Sequence, residues 1–127
     1  GEFYCGSRTE WKKEFPSPYD VELGLAMSID SPIEAIEPFV ERVNFVQCMS
    51  IAKIGFQGQP FDSRVFEKIS TLRKRYPELI ISVDGGVNLD TAPQLLTAGA
   101  QRLVVGSAIL QSRNPTEEVR RFKSVLS

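Results

Sequence analysis

Asp84 ends an apolar run, LIISVD, and is followed at once by Gly85 and Gly86; further on, a second apolar run, RLVV, ends in Gly106 and Ser107. A carboxylate at the C-terminal end of an apolar strand can transfer a proton or hold a divalent cation. Glycines let backbone N–H groups approach an anion with no Cβ in the way, and successive N–H groups in a turn form a nest for phosphate oxygens. Ser107 adds a hydroxyl donor. If both turns lie at the same end of a parallel sheet, the chemistry is a phosphate grip beside a single carboxylate, placed where α/β proteins bind ligands. Asp84 is the best catalytic candidate, against the plainer reading of an Asp that caps the glycine turn.

One carboxylate does not make a complete mechanism. Proton abstraction next to a carbonyl needs a base, a group that stabilises the enediolate, and often an acid on the opposite face. The chain has no histidine, so it supplies neither an imidazole base nor a histidine metal site.

A third glycine loop, Gly55-Phe56-Gln57-Gly58-Gln59, fits either an anion contact or a tight connection that needs positive φ. It is neither a Walker loop, since the GKS or GKT ending is absent, nor the dinucleotide fingerprint GxGxxG. Other residues attract plainer readings. Met49 can cover a ligand or fill a gap in the core. Asp30 and Asp62 read as helix-start or turn residues. Cys48 lies in an apolar run with no histidine partner and reads as a core thiol. Trp11 can anchor the leading segment, and Arg73-Lys74-Arg75 reads as a solvated helix face.

The elements that must position these groups become regular after about residue 20. VELGLAMSI reads as a strand and SPIEAIEPFVERV as a helix, with Ser31 as N-cap, Pro32 at the first position, Glu34 closing a capping box and Pro38 shortening or bending it. NFVQCMSI is a second strand, dense enough in apolar residues for a sheet covered on both faces. In the next helix Val65, Ile69, Leu72 and Tyr76 recur at helical spacing. LIISVD is the third strand, and LDTAPQLLTAG a helix stopped at Gly99. RLVVGSAIL forms the fourth strand and a turn. The last helix has Asn114 as cap, Pro115 first, and Val119, Phe122 and Val125 or Leu126 facing inward.

Successive strand-to-helix units require a parallel α/β sheet with right-handed crossovers. At 127 residues the chain is too short for a complete eight-stranded barrel, which takes about 250 residues. The expectation is a partial, half TIM barrel over residues 21–127, after a leading segment, 1–20, that reads either as one βα remnant or as an irregular stretch. The opening Gly-Glu-Phe lacks an initiator methionine, and we expect the chain to begin partway through a larger protein. A formal charge of -1 offers no basic field for nucleic acid or an anionic membrane. No apolar run approaches transmembrane length. Two distant cysteines make the cytoplasm the default compartment. An uncovered sheet face is an association liability, which predicts a homodimer or association with a missing barrel half.

Four pieces, GLAMSIDSPIEAI, FVQCMSI followed by GFQGQPF, ELIISVDGGVNLDTAPQLLTAGA and RLVVGSAILQSRNPTEEV, make residues 22–127 resemble the C-terminal half of the ribulose-phosphate 3-epimerases. These are phosphate-binding (βα)8 barrels, so the resemblance implies a ribulose-phosphate-binding barrel type. It implies that Asp84 binds a divalent metal ion and is one of two acid/base carboxylates. It implies that Gly58, Gly85, Gly86, Gly106 and Ser107 hold the substrate phosphate, and that Met49 lies over the reacting part of the sugar. The family's other metal ligands, two histidines and an aspartate on early strands, have no counterpart here. The chain also has Ala52-Lys53-Ile54 before its glycine loop where the family has a proline, carries Gln57 where the family leaves the position bare, and has Ser28-Ile29 where the family tends toward Asn-Pro. The readings left open are an epimerase-like protein active when completed, a non-catalytic binder of sugar phosphate or inorganic phosphate, and a structural oligomer.

Overall fold

Four apolar runs form one sheet in a computed structural model that describes residues 21–51 and 61–126. The strands are β1 (Gly24–Met27), β2 (Phe45–Met49), β3 (Ile81–Asp84) and β4 (Arg102–Val104), in spatial order 1-2-3-4, with every neighbouring pair parallel. Helices α1 (Arg64–Arg75), α2 (Thr91–Ala98), a short α3 (Ser107–Leu110) and α4 (Pro115–Leu126) complete the chain order. Consecutive parallel strands linked by helical crossovers make a partial βα barrel, as expected. The expectations for residues 1–20 and for the loop at 52–60, Trp11, Lys53, Gln57 and Gly58 among them, fall outside the described residues.

Strand alternation divides the sheet into two unlike faces. Leu25, Met27, Val46, Cys48, Ile81, Val83 and Leu103 join the hydrophobic core with Val65, Ile69 and Leu72 of α1, Ala92 and Leu95 of α2, and Phe122 of α4. Each such large side chain, once buried, stabilises the fold by about 1.5–3 kcal/mol. The opposite face carries Ala26, Gln47 and Ser82 in register with Arg102, then Met49 and Asp84 in register with Val104. This face is more polar and more open: Ala26, Arg102 and Val104 are exposed. Ser82 Oγ is 3.4 Å from Gln47 Oε1, and the Arg102 guanidinium lies 5.3 Å from the Phe45 ring centroid and 3.3 Å from Glu22 Oε1.

Two helix expectations need correction. SPIEAIEPFVERV forms two 3-10 turns, Ile33–Ile36 and Val40–Arg42, rather than one α-helix. Pro38 has no N–H to give the Glu34 carbonyl, which accepts instead from Glu37 N at 3.3 Å, a three-residue closure. Ser31 does not cap the segment, because its hydroxyl pairs with Ser28 Oγ at 2.9 Å, and Glu34 faces Arg75 at 3.7 Å rather than closing a capping box. In α4 only Phe122 is buried, whereas Val119, Val125 and Leu126 are 37%, 41% and 37% exposed. This helix packs chiefly on α2 and α3, so an inward stripe meets neighbours along only part of its width.

Other local signals hold. Asn114 Oδ1 accepts from Glu117 N at 3.2 Å and Pro115 opens α4. Gly99 ends α2 at φ +126. Among the described residues no helix is long and apolar enough to cross a membrane.

Candidate functional site at the strand ends

The site begins with the pairing of β2 and β3, which sets Met49 opposite Asp84. Both belong to the sheet face that the helices do not cover. Met49 is buried although it sits on that side, with Gln47 Nε2 3.7 Å from its sulfur. Asp84 is half-buried, and its carboxylate has no hydrogen-bond or ion-pair partner among the described residues. It is therefore not the cap of its own turn.

That turn is built from glycine by necessity. Gly85 and Gly86 have φ +111 and +65, where side chains are strained. A Cβ on Gly85 would meet Ile51 Cγ2 at 3.0 Å, and one on Gly86 would meet Phe61 Cα at 3.1 Å. After the turn Asn88 Oδ1 accepts from Asp90 N at 2.8 Å and Thr91 N at 2.9 Å, so the asparagine opens α2.

At the end of β4, Gly106 and the half-buried Ser107 lead into α3. A Cβ added to Gly106 would meet nothing within 4 Å. Its carbonyl accepts from Ile109 N at 3.0 Å and Leu110 N at 2.9 Å. Because Asp84 is in register with Val104, the structure brings Asp84, Gly85, Gly86, Gly106 and Ser107 to the same end of the sheet. Gly58 is not among the residues described.

Cations on the first turns of α1 brace the rim of this end, a role that spacing alone did not reveal. Arg64 is 2.7 Å from Asp62 and 3.0 Å from Asp30. Lys68 Nζ donates to the carbonyls of Ser28, Ile29 and Ser31 at 2.8, 2.9 and 2.6 Å, which ties the loop after β1 to the helix. Asp62 keeps its helix-start role through Arg64 N at 3.0 Å, and the Arg64 hydrogen bonds hold its carboxyl below the usual range. Burial lowers the Lys68 ammonium from its ordinary value.

Cys48 points into the helix-covered core. Burial pushes its thiol up to about 11, with Lys68 a smaller opposing influence, so it is protonated and inert at neutral pH. The basic run is not uniform. Arg73 bonds the carbonyls of Pro77, Leu79 and Gly99 at 2.9, 2.7 and 2.8 Å, whereas Lys74 and Arg75 are exposed. The solvated-face expectation is corrected for Arg73, because its fork reaches the carbonyls left open beyond α1 and α2.

A divalent cation of the calcium or magnesium kind takes six or more oxygen ligands, supplied by protein and water. Among the described residues no group of three His, Cys, Asp or Glu side chains could hold one, and Asp84 contributes a single carboxylate. These donors do not fit a resident metal.

The model of the ribulose-phosphate 3 epimerase family matches residues 19–110. The ribulose-phosphate 3-epimerase of Schizosaccharomyces pombe is 37% identical over 102 residues, covering 80% of this chain and 44% of the relative. The cytoplasmic isoform of Oryza sativa subsp. japonica is 34% identical over 121 residues, covering 92% and 53%. The chain thus spans about half the length of these relatives. Thiamine phosphate pyrophosphorylase from Pyrococcus furiosus shares the fold with TM-score 0.63 at 15% identity, over 95% of this chain and 55% of that one. Phosphoribosyl anthranilate isomerase from Thermococcus kodakaraensis does so with TM-score 0.57 at 16% identity, over 93% and 56%.

Proposed function

This chain belongs to the ribulose-phosphate 3 epimerase family, and on that premise we propose that it carries the phosphate grip and one acid/base carboxylate of a pentulose 5-phosphate epimerase. The observation that supports this reading best is the unpartnered Asp84 carboxylate beside Gly85 and Gly86, at the strand end that also bears Gly106 and Ser107. In this proposal the backbone N–H groups of Gly85, Gly86 and Gly106, the Ser107 hydroxyl and the loop around Gly58 bind the phosphate. Met49, packed on the same face, lies against the apolar side of the sugar. With the phosphate fixed, Asp84 takes or returns the proton on the carbon next to the substrate carbonyl.

Inversion needs a second group to deliver a proton to the opposite face of the carbon. The described residues provide no partner carboxylate near Asp84, and no step is routed through a metal because the donor set does not fit one. We therefore propose epimerase activity only for a completed barrel, whose remaining strands come from further chain or from a second copy. The unpaired, buried Cys48 is consistent with a cytoplasmic location. The same shortage of acid/base groups favours, as a second reading, a protein that binds sugar phosphates without turnover.

The test is a turnover assay of the purified 127-residue chain with D-ribulose 5-phosphate. Turnover at background alongside saturable binding fits the proposal. Robust turnover by uncontaminated chain would overturn the requirement for completion.

A further inference from the structure

Ser50 is fully buried one residue beyond β2, and each of its polar atoms has a hydrogen-bond partner. Its N–H donates to the Asp84 carbonyl at 2.9 Å, and its hydroxyl lies 3.1 Å from that same oxygen and within bonding distance of the Gly85 carbonyl. Its own carbonyl accepts from Asp62 N at 2.8 Å. One small side chain and its peptide thus join three segments: the end of β2, the glycine turn after β3, and the residues that follow position 60.

The geometry of the turn follows from this. In a trans peptide the C=O and the next N–H point in opposite directions, and the described chain has no cis bonds. With the carbonyls of Asp84 and Gly85 drawn toward Ser50, the N–H groups of Gly85 and Gly86 point away from β2. Neither donates to a described residue. Two successive free N–H groups are what an anion nest requires.

We propose that Ser50 is a positioning residue: by holding the carbonyls of Asp84 and Gly85 it aims the Gly85 and Gly86 amides at the substrate phosphate. The inference rests on the phosphate grip proposed above and adds the residue that orients it. Ser50 does not touch the ligand. Alanine at this position keeps the backbone bonds but removes the hydroxyl that fixes the Gly85 peptide plane.

The experiment uses the full chain labelled with 15N, with inorganic phosphate as the probe. The HN–Hα couplings of Gly85 and Gly86, which report φ, are measured first without phosphate, and the amide shifts are then followed on titration. Ser50→Ala is expected to change the Gly85 and Gly86 couplings and to weaken phosphate affinity about tenfold, roughly the loss of one hydrogen bond. Ser50→Thr, which retains the hydroxyl, is expected to restore both readouts. Ser50→Cys keeps the volume with a weaker donor and gives the same comparison if the alanine variant does not fold. Unchanged couplings and affinity in Ser50→Ala would overturn the role of Ser50 and leave the phosphate grip standing. Absence of phosphate shifts in the unsubstituted chain would instead remove the grip, while the couplings still decide whether Ser50 orients the turn.

Discussion

Met49 and Asp84 are register partners across β2 and β3, so the end of the sheet sets a buried thioether beside a half-buried carboxylate with no bonding partner among the described residues. An acid without native partners does little for the folded state. Asp84→Asn is therefore expected to leave unfolding free energy within about 0.5 kcal/mol of the parent, as for an ordinary surface change. In a completed barrel the same substitution is expected to lower epimerisation by at least about 10²-fold. Urea denaturation and a coupled turnover assay measure the two effects.

Gly85 sits at φ +111 with Ile51 Cγ2 3.0 Å from the position a Cβ would take. Gly85→Ala adds backbone strain and a steric contact together, and is expected to destabilise by about 1–3 kcal/mol. Gly106→Ala meets open space and is expected to cost less than half as much. Paired urea titrations check the ranking.

Arg73 and its two basic neighbours part company in the same kind of measurement. Arg73→Ala leaves the carbonyls of Pro77, Leu79 and Gly99 without their charged donor, an expected loss of about 1.5–3 kcal/mol. Lys74→Ala and Arg75→Ala are expected to stay within about 0.5 kcal/mol of the parent.

Cys48 gives a pH signature. Its folded-state value of about 11 lies above the ordinary 9.0, so the unfolded chain releases the thiol proton first. Its contribution is complete below pH 9 and is lost as pH rises toward 11, a change of about 2–3 kcal/mol. Lys68, with its ammonium lowered by burial, acts with the opposite sign just below its ordinary value. The check is consequently the difference between the parent and Cys48→Ala in stability from pH 8 to 11, expected to shrink as pH rises.

The strands were legible because each is a short apolar run closed by a turn signal, and the parallel order followed from the helical segments between them. The VDGG and GS turns were legible for a related reason: glycine at φ +111 and +65 marks a turn that admits no side chain. The segment around Pro32 and Pro38 misled, because its capping residues suit an α-helix while a missing N–H forces three-residue closures. In α4, periodicity identified an apolar stripe but not how many neighbours would cover it. Ser50, Lys68 and Arg73 were hidden because their roles rest on carbonyls distant in sequence, at Asp84 and Gly85, at Ser28 to Ser31, and at Gly99.

The most direct test of the phosphate grip is a calorimetric titration of the full chain with D-ribulose 5-phosphate, with and without divalent metal, and with inorganic phosphate as competitor. Saturable binding without added metal, displaced by inorganic phosphate, is the expected result. No binding of either compound would contradict it.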